Sequence, residues 1–138
     1  MTRKQMIWAR ILLAGYLVAV AVLCFANFSS MPDVKKDWLG IPTDKIVHFC
    51  MFFPFPLLAF MSFDKHTESI RSSALWAGGT FLIGCLIAAA TEWGQARLTT
   101  WRSGDSTDFL ADFLALAAAS LLVFVIDIRK QRRACTEN

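Results

Sequence analysis

Four long apolar runs leave this chain few folds to choose from. The first covers residues 11–31 without a charge, with Arg10 at its foot, and the second covers 46–63, interrupted only by His48. The third covers 72–91, and the fourth covers 109–126 with one acid, Asp112, near its start. A helix needs roughly 20 apolar residues to cross the hydrocarbon core, fewer when its polar ends sit at the interface. Lipid offers no water to backbone amides and carbonyls, so each run must satisfy them internally, as a helix. The sequence therefore predicts spanning helices at about 7–29, 44–63, 72–95 and 107–128. Their connections are short, so neighbours run antiparallel. The expected fold is an all-α, integral membrane four-helix antiparallel bundle, and residues 1–138 form one domain.

Composition agrees. Hydrophobic residues make up 56% of the chain and charged residues 18%, against roughly 25% charged in ordinary soluble domains. Arg3, Lys4 and the run that follows resemble an export signal. The run is longer than a usual signal core, however, and Cys24-Phe25-Ala26 is a poor small-x-small cleavage site. The first helix is therefore expected to remain as a span. Cys24, Cys50, Cys85 and Cys135 are scattered without C-x-x-C spacing, which argues against a disulfide framework or a zinc site.

Lysine and arginine placement gives an orientation. With both termini on one side, that side holds Arg3, Lys4, Arg10, Lys65, Arg71, Arg129, Lys130, Arg132 and Arg133. The other holds Lys35, Lys36, Lys45, Arg97 and Arg102. Nine against five puts both termini in the cytoplasm. Trp8 and Trp76 then fall at inner ends, and Trp38, Trp93 and Trp101 at outer ends, as an aromatic belt requires. The run Arg129-Lys130-Gln131-Arg132-Arg133 reads as an anchor on the anionic inner leaflet.

The remaining ionisable groups collect at one depth. Asp44, Lys45 and His48 open the second helix, Glu92 and Gln95 close the third, Arg97, Arg102 and Asp105 lie in the loop, and Asp108 and Asp112 open the fourth. All of these fall at the outer end, whereas nothing polar is expected to continue through the inner half. Asp108, Asp112, Ala115 and Ala119 share one face of the fourth helix, as Gly84, Ala88, Glu92 and Gln95 share one face of the third. Small residues at this spacing mark close helix approach in membranes, so the acids point inward. Counting back from the hairpin tip puts Glu92 level with Asp108. Such a cluster needs a basic partner, a cation or a proton on one carboxyl; Lys45, His48, Arg97 and Arg102 are the candidate partners.

Simpler roles compete. Asp44, Asp105 and Asp108 stand where helix N-caps are expected, and Asp105 with Asp108 approximates a capping box. Gln95 and Arg97 can be interface residues, and Glu92, Asp112 and His48 a purely structural ion-pair network. Pro54 and Pro56 remove two amide donors and should kink or widen the second helix. The phenylalanines between Phe49 and Phe63 read as packing or lipid-facing surface, and His66 as solvated. No phosphate-binding loop, H-E-x-x-H, G-x-S-x-G or C-x-x-C motif is present. No metal ligand set is assigned and no cofactor is named. Basic residues are not interleaved with aromatics, which excludes nucleic acid as a partner.

Ser30-x-Pro32, Asp44-Lys45-x-x-His48, Glu92-x-x-Gln95 and Arg102-x-x-Asp105-x-x-Asp108, in that order within a four-helix pattern, resemble the VanZ-like membrane proteins. The resemblance runs from about residue 28 to 120. Asp112 stands where an Asn is usual and Ala115 where a Gly is usual. The resemblance implies a small bacterial inner-membrane protein of the cell envelope, in a family named for low-level glycopeptide resistance. The leading expectation is an outer polar cavity that binds an anionic lipid-linked or cell-wall head group. Its ligand-binding residues would be Asp44, Lys45, His48, Glu92, Gln95, Arg102, Asp105, Asp108 and Asp112, with membrane lipids and a lipid-linked envelope precursor as partners. An enzyme acting on such a head group is the alternative, with Glu92, His48 and Asp108 as catalytic candidates and a divalent cation admissible. A structural assembly subunit is the third reading, and a transporter is disfavoured.

Overall fold

The computed structural model of the chain describes residues 3–26, 37–38, 40–63, 69–100 and 105–136. Its helices are α1 (Arg3–Phe25), α2 (Thr43–Phe52), α3 (Pro54–Phe63), α4 (Ile70–Leu98) and α5 (Ser106–Thr136). A two-residue antiparallel ladder, β1 (Asp37–Trp38) with β2 (Ile41–Pro42), precedes α2. Gly40 turns the chain inside that ladder at φ +79°, a conformation glycine adopts without the Cβ penalty. The ladder was not expected, since two-residue strands are too short to show a period.

With α2 and α3 taken as one span, the described residues hold four helical spans long and apolar enough to cross a membrane. The second is divided at Phe53. Pro54 and Pro56 have no N–H to offer the carbonyls four residues back, so α2 ends and a new helix begins at Pro54, a position where proline is well tolerated. The expected single helix at 44–63 is thus two. The Tyr16 hydroxyl of α1 donates to the Met51 carbonyl at 2.5 Å, close to the break.

Other boundaries differ for local reasons. α4 starts at Ile70 rather than 72 because Ser69 caps it: its Oγ accepts from Ser72 N–H at 3.2 Å while Ser72 Oγ accepts from Ser69 N–H at 3.3 Å. α5 runs eight residues past its expected end at 128. Arg, Lys, Gln and Ala are good helix formers, and basic residues in a last turn complement the helix dipole. The end of the apolar run is not the end of the helix.

α5 is the central element, packing on α2, α3 and α4, while α1 lies against α3 and α4. The core is built from Val20 and Cys24 of α1, Met51 and Phe52 of α2, Phe55 of α3, Ala88 of α4, and Ala115 and Leu116 of α5. The inward faces are those the spacing predicts. On α4 the buried set includes Gly84, Ala88, Glu92 and Gln95, and on α5 Asp108, Asp112, Ala115 and Ala119. Large apolar side chains such as Leu75, Leu82, Leu86 and Leu121 face outward, an arrangement suited to lipid. None of Cys24, Cys50, Cys85 and Cys135 forms a disulfide.

One expectation is overturned at the end of the bundle opposite the acidic cluster. Ser73 Oγ donates to Asp127 Oδ2 at 2.7 Å, and Gln131 Nε2 donates to Ser73 Oγ at 2.7 Å. Asp127 is buried there, so polar groups do continue into that half. The signal was its four-residue step from Val123 on the face already carrying Asp112 and Ala119.

Candidate functional site: a carboxylate–histidine cluster

The N-termini of α2 and α5 and the C-terminal turns of α4 come together at one end of the bundle. α2 supplies Lys45 and His48, α4 supplies Glu92, and α5 with the residue before it supplies Asp105, Asp108 and Asp112.

His48 is at the centre. It projects from the first turns of α2 toward α5 and is 1% exposed. Its Nδ1 lies 3.1 Å from Asp112 Oδ1 and 3.8 Å from Glu92 Oε1, and its Nε2 lies 3.6 Å from Asp108 Oδ2. Only the Asp112 contact is short enough for a good hydrogen bond. Asp112 is fully buried.

Lys45 closes the cluster from the rim. Its Nζ donates to Asp108 Oδ1 at 2.7 Å and lies 3.4 Å from both Asp44 Oδ2 and Asp105 Oδ2. Asp108 is therefore shared, with one oxygen on the ammonium and the other facing the imidazole. Asp44 sits at the exposed edge. It does not cap α2, whose N-cap position is Pro42 and carries no side-chain cap.

Glu92 has a structural bond that the sequence does not reveal. Asp105 occupies the residue before α5, and its Oδ1 accepts from Thr107 N–H at 2.9 Å, so it is the N-cap. The expected reciprocal bond from Asp108 is absent. Asp105 N–H donates instead to Glu92 Oε2 at 3.1 Å, so a glutamate from α4 completes the capping arrangement across the helix interface. Asp108 is drawn away by Lys45 and His48. The backbone and hydroxyl of Thr107, and then Lys45, hold the exposed Asp105 carboxyl below the usual carboxylate range.

Gln95 is buried but turned to other work. Its Nε2 donates to the Cys24 carbonyl at 2.9 Å, tying α4 to the last turn of α1. Arg97 is exposed in the last turn of α4. Arg102, Ser30, Pro32 and His66 lie outside the described residues.

Three buried atoms of the cluster have no hydrogen-bond partner among the described residues: His48 Nε2, Glu92 Oε1 and Asp112 Oδ2. One ligand-capable atom from each of His48, Glu92 and Asp108 lies within 4.8 Å of the others. The cluster thus gathers acceptors around an imidazole, with fewer donors than they require.

Beside it, a groove of about 510 Å³ runs between α2 and α5. Ile46, Phe49, Leu110, Ala111 and Leu114 line its apolar length, and Lys45 and Thr107 stand at its polar end. The groove and the cluster meet at Lys45. No family model, curated protein or solved structure matches this chain.

Proposed function

We propose that this chain is a VanZ-like protein of a bacterial cytoplasmic membrane, with both termini inside. In this reading it binds an amphiphile carrying an anionic, lipid-linked head group of the cell envelope. The single observation behind the reading is the junction of groove and cluster. An apolar trough between two lipid-facing helices ends at an ammonium group and a set of buried polar side chains. An acyl or prenyl chain lies in such a trough at little cost, because it exchanges one apolar surface for another. The head group then reaches Lys45 and the N-terminal ends of α2 and α5, whose dipoles favour negative charge. The ordered residues quoted for the resemblance supply the family and the membrane, and the lysine and arginine distribution supplies the orientation.

A second reading, an enzyme acting on that head group, is favoured by the Asp112–His48 contact of 3.1 Å. A carboxylate on one ring nitrogen orients the imidazole and leaves the other to exchange a proton with a bound group. Glu92 and Asp108 are the neighbouring candidates for acid–base work.

Binding is tested with the purified protein in nanodiscs, using a polyprenyl phosphate and the uncharged polyprenol of the same chain length. The phosphate should bind and the alcohol should bind far more weakly. Ala111→Phe, which fills the groove, should weaken binding, and Leu86→Phe on an exposed face of α4 should not. Equal binding of phosphate and alcohol would remove the head-group reading, and indifference to Ala111→Phe would remove the groove. Exchange of label between the bound phosphate and water, lost in His48→Gln, separates the enzyme from the binder.

A further inference from the structure

The cluster has an excess of acceptors that its own cations do not satisfy. Lys45 is committed to Asp108, with Asp44 and Asp105 close by, and it lies 22% exposed at the rim. Deeper in, one ligand-capable atom each of Asp108, His48 and Glu92 lies within 4.8 Å of the others, and His48 Nε2 and Glu92 Oε1 have no hydrogen-bond partner among the described residues. His48 is 1% exposed and Glu92 9%, so bulk water does not freely satisfy these atoms. Buried polar atoms left in this state are costly, because they have given up water without gaining a partner.

Asp112 decides what His48 offers. With Nδ1–H donated to the Asp112 carboxylate at 3.1 Å, the ring presents a lone pair at Nε2. That lone pair faces a carboxylate oxygen of Asp108 at 3.6 Å, acceptor against acceptor. A cation between them turns the repulsion into two bonds. The arrangement of carboxylate, imidazole and ion, with the carboxylate fixing tautomer and ring orientation, is the usual outer support of metal-bound histidines.

We propose that His48, Glu92 and Asp108 bind one divalent transition-metal ion, with Asp112 as the positioning residue behind His48. Bonds of about 2.0–2.2 Å from ion to imidazole and carboxylate set ligand atoms roughly 3–4.3 Å apart, so ligand atoms within 4.8 Å close on an ion by side-chain shifts of up to about an ångström. One nitrogen and two carboxylates, with no thiolate, select Mn²⁺ or Zn²⁺ over the all-oxygen preference of Mg²⁺ and the soft ligands of Cu⁺. Three protein ligands leave coordination positions open for a further ligand. An anionic head group there would be held by the ion and not repelled by the carboxylates; this bridging role rests on the function proposed above, whereas the ion site does not.

The test uses the ion alone. Full-length protein in detergent, stripped with chelator, is titrated with Mn²⁺ and followed by electron paramagnetic resonance. One Mn²⁺ per chain should bind, Zn²⁺ should displace it, and spin-echo modulation should show a directly bound ¹⁴N. His48→Gln and Glu92→Gln should each weaken binding at least tenfold, and Asp112→Asn about 10–100-fold, as outer-sphere changes do. Asp127→Asn, at the far end of the bundle, should leave affinity unchanged. Sub-stoichiometric binding, absence of the ¹⁴N signal in the unmodified protein, or affinity unmoved by Glu92→Gln overturns the site. The ¹⁴N measurement needs no variant, so it decides the matter even where His48→Gln fails to fold. Failure of polyprenyl phosphate binding with the ion bound leaves the ion site standing and removes only the head-group reading.

Discussion

Asp112 of α5 and His48 of α2 meet with Oδ1 3.1 Å from Nδ1, and both side chains are buried. This pair is the deepest polar link between the broken second span and the central helix. Around it the remaining groups divide by depth: Asp108 is shared between His48 and the rim lysine, and Glu92 between His48 and the start of α5. Each carboxylate thus has a definite partner, and each can be removed with a distinct result.

Asp112→Ala leaves His48 without its oriented acceptor and removes one member of a buried pair. Loss of a buried hydrogen bond to a charged group costs about 1.5–3 kcal/mol. Folded yield and melting temperature in detergent should fall accordingly. Asp112→Asn keeps an oxygen in the same place, so it should retain the fold and lose far less. An alanine variant as stable as the asparagine one would show that the contact contributes nothing to packing.

Glu92 should act on α5 even though it belongs to α4. In Glu92→Ala the Asp105 N–H loses its acceptor, and the first turn of α5 should fray. A cap of this kind is worth about 0.5–2 kcal/mol. Hydrogen exchange should quicken at the amides of residues 105–108 while the middle of α5 stays protected. Glu92→Gln preserves an acceptor oxygen and should leave those amides slow. Uniform exchange along α5 in both variants would mean that the cap is local to Asp105.

Much of this was readable from the residues, and the exceptions share one cause. The apolar runs and the three- and four-residue steps of Ala88, Glu92, Asp108 and Asp112 disclosed both the spans and their inward faces, because those depend on spacing along a single helix. Pro54 and Pro56 pointed to a kink or widening in the second span for the same reason, though not to its division into two helices. What stayed hidden depends on choices between helices. A capping box at Asp105 and Asp108 is a sound local rule, yet it does not register that Lys45 and His48 of α2 compete for Asp108 and that Glu92 stands ready to replace it. Gln95 likewise had the right face, but its bond to the Cys24 carbonyl required knowing where α1 ends. Asp127 lies just beyond the apolar run 109–126, yet it falls on the buried stripe.

Asp105 predicts a pH effect of definite sign. Its carboxyl is held below its ordinary value of about 3.9, chiefly by the Thr107 amide it caps. A depressed folded-state value means that its contribution to stability is complete above the unfolded value and is lost as pH falls through the folded one. Melting temperatures of the wild type and Asp105→Asn, compared from pH 7 down to pH 3, should differ by a constant amount at pH 5–7. That gap should shrink below pH 4. A gap that widens on acidification would reverse the assignment.

α4 packs closely on α5 at Gly84. A Cβ built there would stand 2.5 Å from Leu116 Cδ2 and 3.2 Å from Phe55 Cδ1, and Leu116 is itself fully buried, with little room to retreat. Gly84→Ala should therefore force α4 and α5 apart or Leu116 off its rotamer, at about 1–3 kcal/mol. Gly78, six residues earlier on the same helix, has nothing within 4 Å of its Cβ position. Gly78→Ala should be neutral or slightly stabilising, since alanine is the better helix former by about 1 kcal/mol. Because α4 carries Glu92 and α5 carries Asp108, separation at Gly84 should also loosen the cluster two turns away. Gly84→Ala should lower both the melting temperature and the affinity for Mn²⁺, and Gly78→Ala should lower neither. A Gly84→Ala protein that melts with the wild type would place the helices farther apart than the contact with Leu116 allows.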